Sequence, residues 1–414
     1  MIDGFMEIFL GSAAKLSWTS EHSPINFDSD QSLGIYVHIP FCKKLCDFCP
    51  YFRVADKKAL HKPFVDALLK EIQLKGQLFK GQYPNIKSVY FGGGSPALLA
   101  EYIPEILDAF RKYFCLSDSI AVELHPSQTS NRILSKLKES GVSMVSLGIQ
   151  TFQPELLAYL GRPYEEMEKS LKRVAQAGFK TIDVDLMFGL YGQTPQMLKD
   201  DFSKAIELGA TQISTYPFID FSYAGSKIKP ATSKVKKKLL RMLVSHSEKL
   251  NFVRDSVWTF KKNGTEKYSS VTRESFLGFG PSAATLTPKV FTLNTFSVEA
   301  YIQQLNQQGD PRALTFNFNE KQRQFYWLFW NLYKMELSDN DFRNQFGIGL
   351  DQRWPGILKG LVVLGLLKKD GSDYKLTNKG GQWFHVLEQQ YTKRFIQKTW
   401  QEAMKTPWPI GFKM

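Results

Sequence analysis

The sequence predicts an α/β fold built around a parallel β-sheet. From about residue 33 to residue 220, short apolar runs rich in β-branched residues alternate with amphipathic stretches, as in sheets buried on both faces. The chain has 414 residues and is 43% hydrophobic, which is enough for a large core and for two or three domains. Polar and cysteine residues directly follow several predicted strands, where parallel sheets gather their functional groups.

Six predicted strands alternate with five predicted helices. In the helix predicted over 59–78, the apolar residues Leu60, Phe64, Leu68 and Ile72 recur every four positions. Right-handed crossovers would place all six strands in one sheet, which is either a closed or partly open barrel or a doubly wound sheet. The predicted strands are 34–38, 88–91, 120–123, 144–148, 181–185 and 212–216, and the other predicted helices are 98–114, 130–138, 164–177 and 196–208.

Outside this core the pattern changes. Residues 1–32 show no clear periodicity and are interpreted as an extension that precedes the main fold. After the core at 33–220, residues 221–312 form a region expected on the substrate side. Residues 313–392 predict a small helical module, with helices at 321–334 and 354–367 and a strand at 374–376, in an order typical of a winged helix. Residues 393–414 form an aromatic, basic tail.

The net charge of +13 would suit an anionic partner or, more simply, a solvated basic surface. No RNA-binding signature is present, and five aromatic residues of the predicted module fit a core better than a base-stacking platform, so we expect no nucleic acid partner. We expect no transmembrane helix, because no run of about 18 apolar residues occurs. Asp3 and Glu7 in the first segment argue against a secretory signal. The five aromatics are Phe325, Tyr326, Trp327, Phe329 and Trp330.

Three of the four cysteines, Cys42, Cys46 and Cys49, lie within eight residues directly after the first predicted strand. So few cysteines do not form a disulfide framework, and a reducing, cytoplasmic location fits them better. Three thiolates can bind three irons of a cubane cluster and leave the fourth iron open to a small ligand. A zinc site with His38 as the fourth ligand is the alternative, but no second Cys-x2-Cys or His pair follows.

This spacing, Cys-x3-Cys-x2-Cys, resembles the signature of the radical S-adenosylmethionine (SAM) superfamily. The segment Tyr36-Val-His-Ile-Pro-Phe-Cys42 is similar to the oxygen-independent coproporphyrinogen III dehydrogenase branch, the HemN-like family, and the resemblance extends from about Gly34 to Gln390. It implies a partial (β/α)6 barrel with a winged-helix-like module that covers the substrate. It also implies a [4Fe–4S] cluster, SAM bound at the open iron and cleaved to a 5′-deoxyadenosyl radical, and a reducing partner such as flavodoxin or ferredoxin.

The resemblance also assigns roles to single residues. A glycine turn follows the second strand and is similar to the family segment that meets the amino group of SAM. Further polar residues at later strand ends resemble family residues that bind the polar groups of SAM, and two aromatic residues resemble those that pack on it. Each could instead have an ordinary packing or surface role, and His125 is expected to be structural. These candidates are Gly92, Gly93, Gly94, Glu123, Gln150, Arg162, Asp185, Tyr36 and Phe48.

Two departures from the family narrow the function. Tyr51 stands where the dehydrogenase has a fourth cysteine, and the segment 267–272 lacks the His of the heme-trafficking branch. By elimination, the chain resembles the branch that uses a second SAM for radical methyl transfer or C–C bond formation on a small molecule, anionic or tetrapyrrole in class. The alternatives are a coproporphyrinogen dehydrogenase or other heme-modifying radical enzyme, and a heme chaperone without turnover. Residues 272–283 resemble the family's Gly-x-Gly-x-x-Ala region and are expected to close over the substrate side.

Overall fold

A computed structural model describes residues 2–10, 16–27, 33–79, 81–267 and 275–414. Within these ranges a sheet of 15 strands dominates, with a three-stranded and a two-stranded sheet beside it. The strands are β1 (Ser17–Thr19), β2 (Leu33–Ile39), β3 (Phe41–Cys42), β4 (Val54–Ala55), β5 (Asn85–Gly93), β6 (Cys115–Leu116), β7 (Ile120–Leu124), β8 (Met144–Gln150), β9 (Thr181–Phe188), β10 (Gln212–Pro217), β11 (Phe252–Arg254), β12 (Thr259–Lys262), β13 (Phe276–Phe279), β14 (Ala284–Leu286), β15 (Val290–Asn294), β16 (Arg312–Asn317), β17 (Glu336–Leu337), β18 (Leu367–Asp370), β19 (Asp373–Leu376) and β20 (Gly411–Lys413).

Helices connect the strands of the core and build the carboxyl-terminal module. They are α1 (Ile2–Leu10), α2 (His61–Gln77), α3 (Ile103–Arg111), α4 (Asn131–Glu139), α5 (Pro154–Tyr159), α6 (Glu165–Gln176), α7 (Pro195–Glu207), α8 (Ser233–Lys249), α9 (Val298–Asn306), α10 (Glu320–Tyr333), α11 (Asp339–Phe346), α12 (Leu350–Arg353), α13 (Pro355–Val363), α14 (Asn378–Tyr391) and α15 (Gln397–Ala403). No helix in the described ranges is long and apolar enough to cross a membrane.

The six predicted strands form a parallel array in the order β2, β5, β7, β8, β9, β10, which is also their order in the chain. A doubly wound sheet would reverse this order at a switch point, so the structure decides for the barrel. β13 joins β2 in parallel, and the antiparallel strands β12 and β14 flank the array. The predicted partial (β/α)6 barrel is confirmed, and the carboxyl ends of its strands meet at one edge.

The core of the barrel follows from the apolar pattern of the sequence. Ile35, Val37 and Ile39 alternate along β2 and are fully buried, and Phe64 and Leu68 are buried on the inner face of α2. The predicted spacing of four in α2 is therefore confirmed. The helix predicted over 354–367 is shorter in the structure, since α13 ends at Val363. Gly365, with a φ of +69°, turns the chain there, and β18 starts at Leu367.

The carboxyl-terminal module has the predicted winged-helix-like order. α10 leads through the short strand β17 and three helices to the β18–β19 hairpin, and these strands form the three-stranded sheet. Phe325, Trp327 and Phe329 of α10 are buried in its core. Trp258 Nε1, on the barrel side, donates to Nδ1 of the buried His385 of α14 at 3.0 Å and fastens the module to the barrel.

Both ends of the chain pack against distant parts of the fold. In α1, the Phe5 ring lies 5.5 Å from Trp383 and the Phe9 ring lies 5.4 Å from Trp354, centroid to centroid. β1 pairs with β16 on one side and with β20 on the other. α14 continues through a π-helical turn (Thr392–Ile396) into α15. The described parts of the predicted extension and tail thus contribute two strands to the large sheet.

Candidate functional site

The three clustered cysteines occupy the loop that leaves the barrel after β2. Cys42 ends β3 and is buried, whereas Cys46 and Cys49 are half-buried, and all three thiols are free. Burial and, to a lesser degree, the nearby thiols of Cys49 and Cys46 raise the pKa of Cys42 to about 12. Within the described ranges, however, no three His, Cys, Asp or Glu side chains gather closely enough to hold a metal ion. The loop therefore brings three thiols near one another, but their side chains are farther apart than the ligands of a metal ion.

Arg53 holds this loop in shape. Its Nη2 donates to the carbonyl of Cys46 at 2.5 Å and its Nη1 donates to the carbonyl of Tyr51 at 3.1 Å. Burial raises the pKa of Cys49, and the charge of Arg53 acts against this rise. The sequence did not mark Arg53 as functional, because an arginine four residues after a cysteine looks like any surface cation.

His38 is committed to the fold. Its Nε2 lies 2.9 Å from the carbonyl of Phe52, so Nε2 carries the proton and donates, and Nδ1 accepts from the Tyr36 hydroxyl at 3.0 Å. Burial lowers the pKa of His38 to about 4, so the ring is neutral at pH 7. Both ring nitrogens are engaged, which weakens the alternative of His38 as a fourth zinc ligand.

The glycine turn at the end of β5 lies directly against Glu123 of β7. Glu123 Oε2 accepts from the backbone N–H of Gly93 at 2.9 Å, and Oε1 accepts from the Tyr90 hydroxyl at 2.7 Å. A Cβ at Gly92 would lie 2.9 Å from Glu123 Oε1, and a Cβ at Gly94 would lie 2.6 Å from the carbonyl of Phe41. Any larger residue would collide with these neighbours, so only glycine fits the turn.

Three carboxyl groups, Glu123 of β7 and Asp183 and Asp185 of β9, lie close enough to act on one another. Burial raises the pKa of Glu123 to about 7 and that of Asp183 to about 6. Burial also raises the pKa of Asp185, and the charges of Asp183 and Glu123 raise it further. Asp183 accepts hydrogen bonds from Ser146 of β8 and Ser214 of β10 at 3.2 and 2.8 Å. Asp183 was not among the predicted site residues, although its spacing of two from Asp185 on one strand places both side chains on the same face.

Gln150 and Arg162 converge on Gly148. Arg162 Nη1 donates to the carbonyl of Gly148 at 2.8 Å, and a Cβ at Gly148 would lie 3.3 Å from Gln150 Nε2. The Arg162 guanidinium also lies over the Phe48 ring, 5.4 Å from its centroid. Lys44, from the cysteine loop, donates to the carbonyl of Gly161 at 2.8 Å and joins the loop to this corner. Gln150 has a φ of +74°, a strain of about 1–3 kcal/mol for a residue other than glycine.

Two tyrosine rings lie beside these residues. The side chains of Tyr51 and Tyr216 are 50% and 41% exposed, and desolvation by the surrounding protein raises the pKa of both hydroxyls. The charges of Glu123 and Asp185 also raise the pKa of Tyr51, and the Trp400 ring of α15 lies 5.6 Å from the Tyr51 ring, centroid to centroid. Tyr51 therefore lies between these carboxyl groups and the carboxyl-terminal segment.

Every predicted site residue lies in this region. The Tyr36 ring lies 5.9 Å from the Tyr90 ring, centroid to centroid, and the Tyr90 hydroxyl donates to Glu123. Tyr36 is thereby connected to the carboxyl groups of the site. His125, expected to be structural, caps a 3₁₀ turn, with its Nδ1 accepting from the Ser127 backbone at 3.2 Å. The structure thus brings together Tyr36, Phe48, Gly92, Gly93, Gly94, Glu123, Gln150, Arg162 and Asp185.

Comparisons with known proteins show which proteins this chain resembles. Residues 36–205 match the radical SAM superfamily. The heme chaperone HemW of Bacillus subtilis is 28% identical over 83% of this chain and 95% of its own length. The oxygen-independent coproporphyrinogen III oxidase of Escherichia coli is 26% identical over 68% of this chain and 67% of its own. The solved structure of HemN from Escherichia coli superposes with a TM-score of 0.76 at 21% identity, covering 90% of this chain and 94% of that one.

This chain is therefore similar to HemN-like proteins of the radical SAM superfamily. The superfamily implies a [4Fe–4S] cluster and SAM as cofactors. The residues of the chain fit both groups: three free thiols share one loop, the turn at Gly92–Gly94 excludes side chains, and the buried Nε of Arg162 has no hydrogen-bond partner among the described residues.

One predicted region lies only partly within the described residues. Residues 268–274, which include most of the 267–272 segment and the start of 272–283, lie outside the described residues. The remainder is tightly anchored. The backbone N–H of Gly280 donates to Glu71 Oε2 at 2.7 Å, and a Cβ at Gly278 would lie 2.1 Å from the carbonyl of Ala284. Its closure over the substrate side stays a prediction.

Proposed function

We propose that this HemN-like protein is an enzyme that holds a [4Fe–4S] cluster through Cys42, Cys46 and Cys49 and binds SAM at the adjacent strand ends. One observation carries the proposal: Arg162 contacts both the strand end at Gly148 and Phe48 of the cysteine loop, so the two halves of the site adjoin. When bound, the cluster and SAM supply a 5′-deoxyadenosyl radical, and the protein provides orientation and a shielded pocket.

Different residues of the chain would bind different parts of SAM. The Arg162 guanidinium, with one nitrogen still unpaired, suits the carboxylate of SAM. Glu123 and Asp185 suit hydroxyl or ammonium donors, since their oxygens gather in one place. The backbone at Gly92–Gly94 allows close approach of the amino end, and the rings of Tyr36 and Phe48 pack beside it. No general base is needed to begin radical chemistry.

The finer proposal concerns the reaction. We infer that a second SAM beside Tyr51 provides a methyl or methylene carbon for radical methyl transfer or C–C bond formation. Tyr51 supports this, because it puts an exposed ring near Glu123 and Asp185 where the dehydrogenase branch has a cysteine. The substrate would be a small anionic or tetrapyrrole molecule, and a flavodoxin or ferredoxin would supply electrons. The free thiols suit a reducing, cytoplasmic setting.

The named relatives supply the two alternatives. Likeness to the Escherichia coli oxidase favours chemistry on a porphyrinogen, and likeness to the Bacillus subtilis protein over 83% of the chain favours heme transfer. Heme titration tests the second alternative, heme transfer. A Soret band that saturates at one heme per chain would favour a chaperone. Label transferred from methyl-labelled SAM to a product would favour methyl transfer over both.

The deciding experiment is anaerobic reconstitution of the cluster, followed by dithionite and SAM and by chromatography for 5′-deoxyadenosine. Cys46→Ala is the test variant. Cys115→Ala is the matched control, because Cys115 is an exposed free thiol on β6, away from the loop. We expect product from the native chain and from Cys115→Ala and none from Cys46→Ala. A native chain with a fully loaded cluster that binds SAM and still makes no 5′-deoxyadenosine would refute the enzyme proposal.

A further inference from the structure

The end of β8 has an unusual backbone that the sequence does not explain. Gln150 adopts a φ of +74°, a left-handed conformation that side chains other than glycine rarely take. The pairing of β8 with β9 also shifts register between Leu147 and Gln150. Such a conformation persists only where the surrounding structure enforces it.

Asp201 of α7 contacts the segment that directly follows Gln150. Its carboxylate is fully buried and accepts hydrogen bonds from the three consecutive residues that follow Gln150. Thr151 Oγ1 donates at 2.6 Å, the Phe152 backbone N–H at 2.8 Å and Gln153 Nε2 at 2.9 Å. The Gln153 backbone N–H also donates to Thr151 Oγ1 at 3.1 Å. The segment after Gln150 is thus tied to one point on a helix.

All three groups are donors, so the site requires an acceptor with two available oxygens, which an ionised carboxylate supplies. Burial raises the pKa of Asp201 to about 6 against the lowering effect of these hydrogen bonds. Asp201 has no exposed surface, so it cannot touch a ligand itself. Any influence on binding must pass through the segment that it holds.

The path from Asp201 to the proposed SAM site is short. The tied segment fixes the backbone of Gln150, whose Nε2 lies against Gly148, and the Gly148 carbonyl accepts from Arg162. We propose that Asp201 is a positioning residue that sets the affinity for SAM by holding the Gln150 amide beside Arg162. This inference rests on the proposed function, because it assumes that SAM binds at Gln150 and Arg162.

A double-mutant cycle tests it, with the dissociation constant of SAM measured by calorimetry on anaerobically reconstituted protein without reductant. The variants are Asp201→Asn, Gln150→Ala and the pair. Each single change is expected to weaken binding about tenfold, the usual effect of one lost charge-assisted contact. Because Asp201 acts through Gln150, the double variant is expected to bind SAM no more weakly than the weaker-binding single variant. Asp200→Asn, at an exposed neighbour on the same helix, is the matched control and should bind as the native chain does.

Urea unfolding of each variant separates positioning from stability. If Asp201→Asn lowers stability while its folded form binds SAM with native affinity, or if the two changes add fully, the inference is overturned. Thr151→Val removes one of the three hydrogen bonds and provides the same comparison should Asp201→Asn fail to fold. If the native chain with a loaded cluster binds no SAM, the proposed function itself fails. If it binds SAM and Gln150→Ala weakens the binding but Asp201→Asn does not, only this inference fails.

Discussion

Glu123 Oε2 accepts a hydrogen bond from the backbone N–H of Gly93 at 2.9 Å, and this contact ties the end of β7 to the glycine turn of β5. The carboxyl is also bound by Tyr90 and lies near Asp183. Its position makes it both a structural group and a candidate ligand group. Its protonation should therefore be visible in the stability of the cofactor-free protein.

Glu123→Gln is expected to change how stability depends on pH. Burial raises the pKa of Glu123 to about 7 from an ordinary value of 4.5, so the folded chain keeps this proton after the unfolded chain has lost it. The contribution to stability is complete below pH 4.5 and is lost as pH rises through 7. Between these pH values, the native chain should lose on the order of 2–3 kcal/mol more unfolding free energy than the variant. Urea unfolding at pH 4.5, 6 and 8 measures this, and parallel curves for the two proteins would contradict it.

Gly93→Ala is expected to disrupt the turn. Gly93 has a φ of +110°, and a Cβ there would lie 2.6 Å from the ring of His38, which its two hydrogen bonds hold in place. The strain and the clash together should lower the unfolding free energy by at least about 3 kcal/mol.

Gly192→Ala is the matched control, since Gly192 has a φ of +80° and nothing within 4 Å of a Cβ. Gly192→Ala should lower the unfolding free energy by about 1–2 kcal/mol, through backbone strain alone. Thermal or urea unfolding of both variants makes the comparison, and equal losses would show that the His38 contact costs nothing.

The strands of the barrel could be predicted because each is a local pattern. Val37, for example, lies in a run of β-branched and apolar residues that any buried strand requires. The candidate residues could also be predicted, because Glu123 ends one such run and Gln150 lies two residues beyond another. Their convergence then follows from the parallel order of the strands.

The remaining features depend on contacts that no local pattern encodes. Asp201 acts on Thr151 from 50 positions away, and its own surroundings in α7 look like any polar helix surface. β20 pairs with β1 across nearly the whole chain. The conformation of Gln150 is likewise imposed by its neighbours, since glutamine has no intrinsic preference for it.

Glu71→Gln is expected to destabilise the fold strongly. Glu71 is fully buried in α2 and accepts from Lys75 and Asn294, each at 2.7 Å, from the Gly280 backbone and from the Tyr301 hydroxyl at 2.6 Å. Neutralising it leaves the buried Lys75 ammonium without a counter-charge, at a cost of about 3–5 kcal/mol.

The same helix provides the control. Lys62 and Asp66 form an ion pair with the same spacing of four, but their side chains are 59% and 45% exposed. Asp66→Asn should leave the midpoint of urea unfolding close to native, because water screens this pair. A similar shift for both variants would mean that burial of Glu71 does not determine the loss.

At Gln150, glycine and alanine substitutions should differ in their effect on stability but not in their effect on SAM binding. Glycine reaches a φ of +74° without strain and alanine does not, so Gln150→Gly should be about 1 kcal/mol more stable to urea than Gln150→Ala, even after the extra chain entropy of glycine is subtracted. At Ser88, an ordinary position in β5, the same pair of changes should rank in the reverse order. If alanine is the more stable choice at both positions, Gln150 is not strained. Both Gln150 variants should weaken SAM binding alike, since each lacks the amide, and this would show that the strained backbone is retained for the position of that side chain.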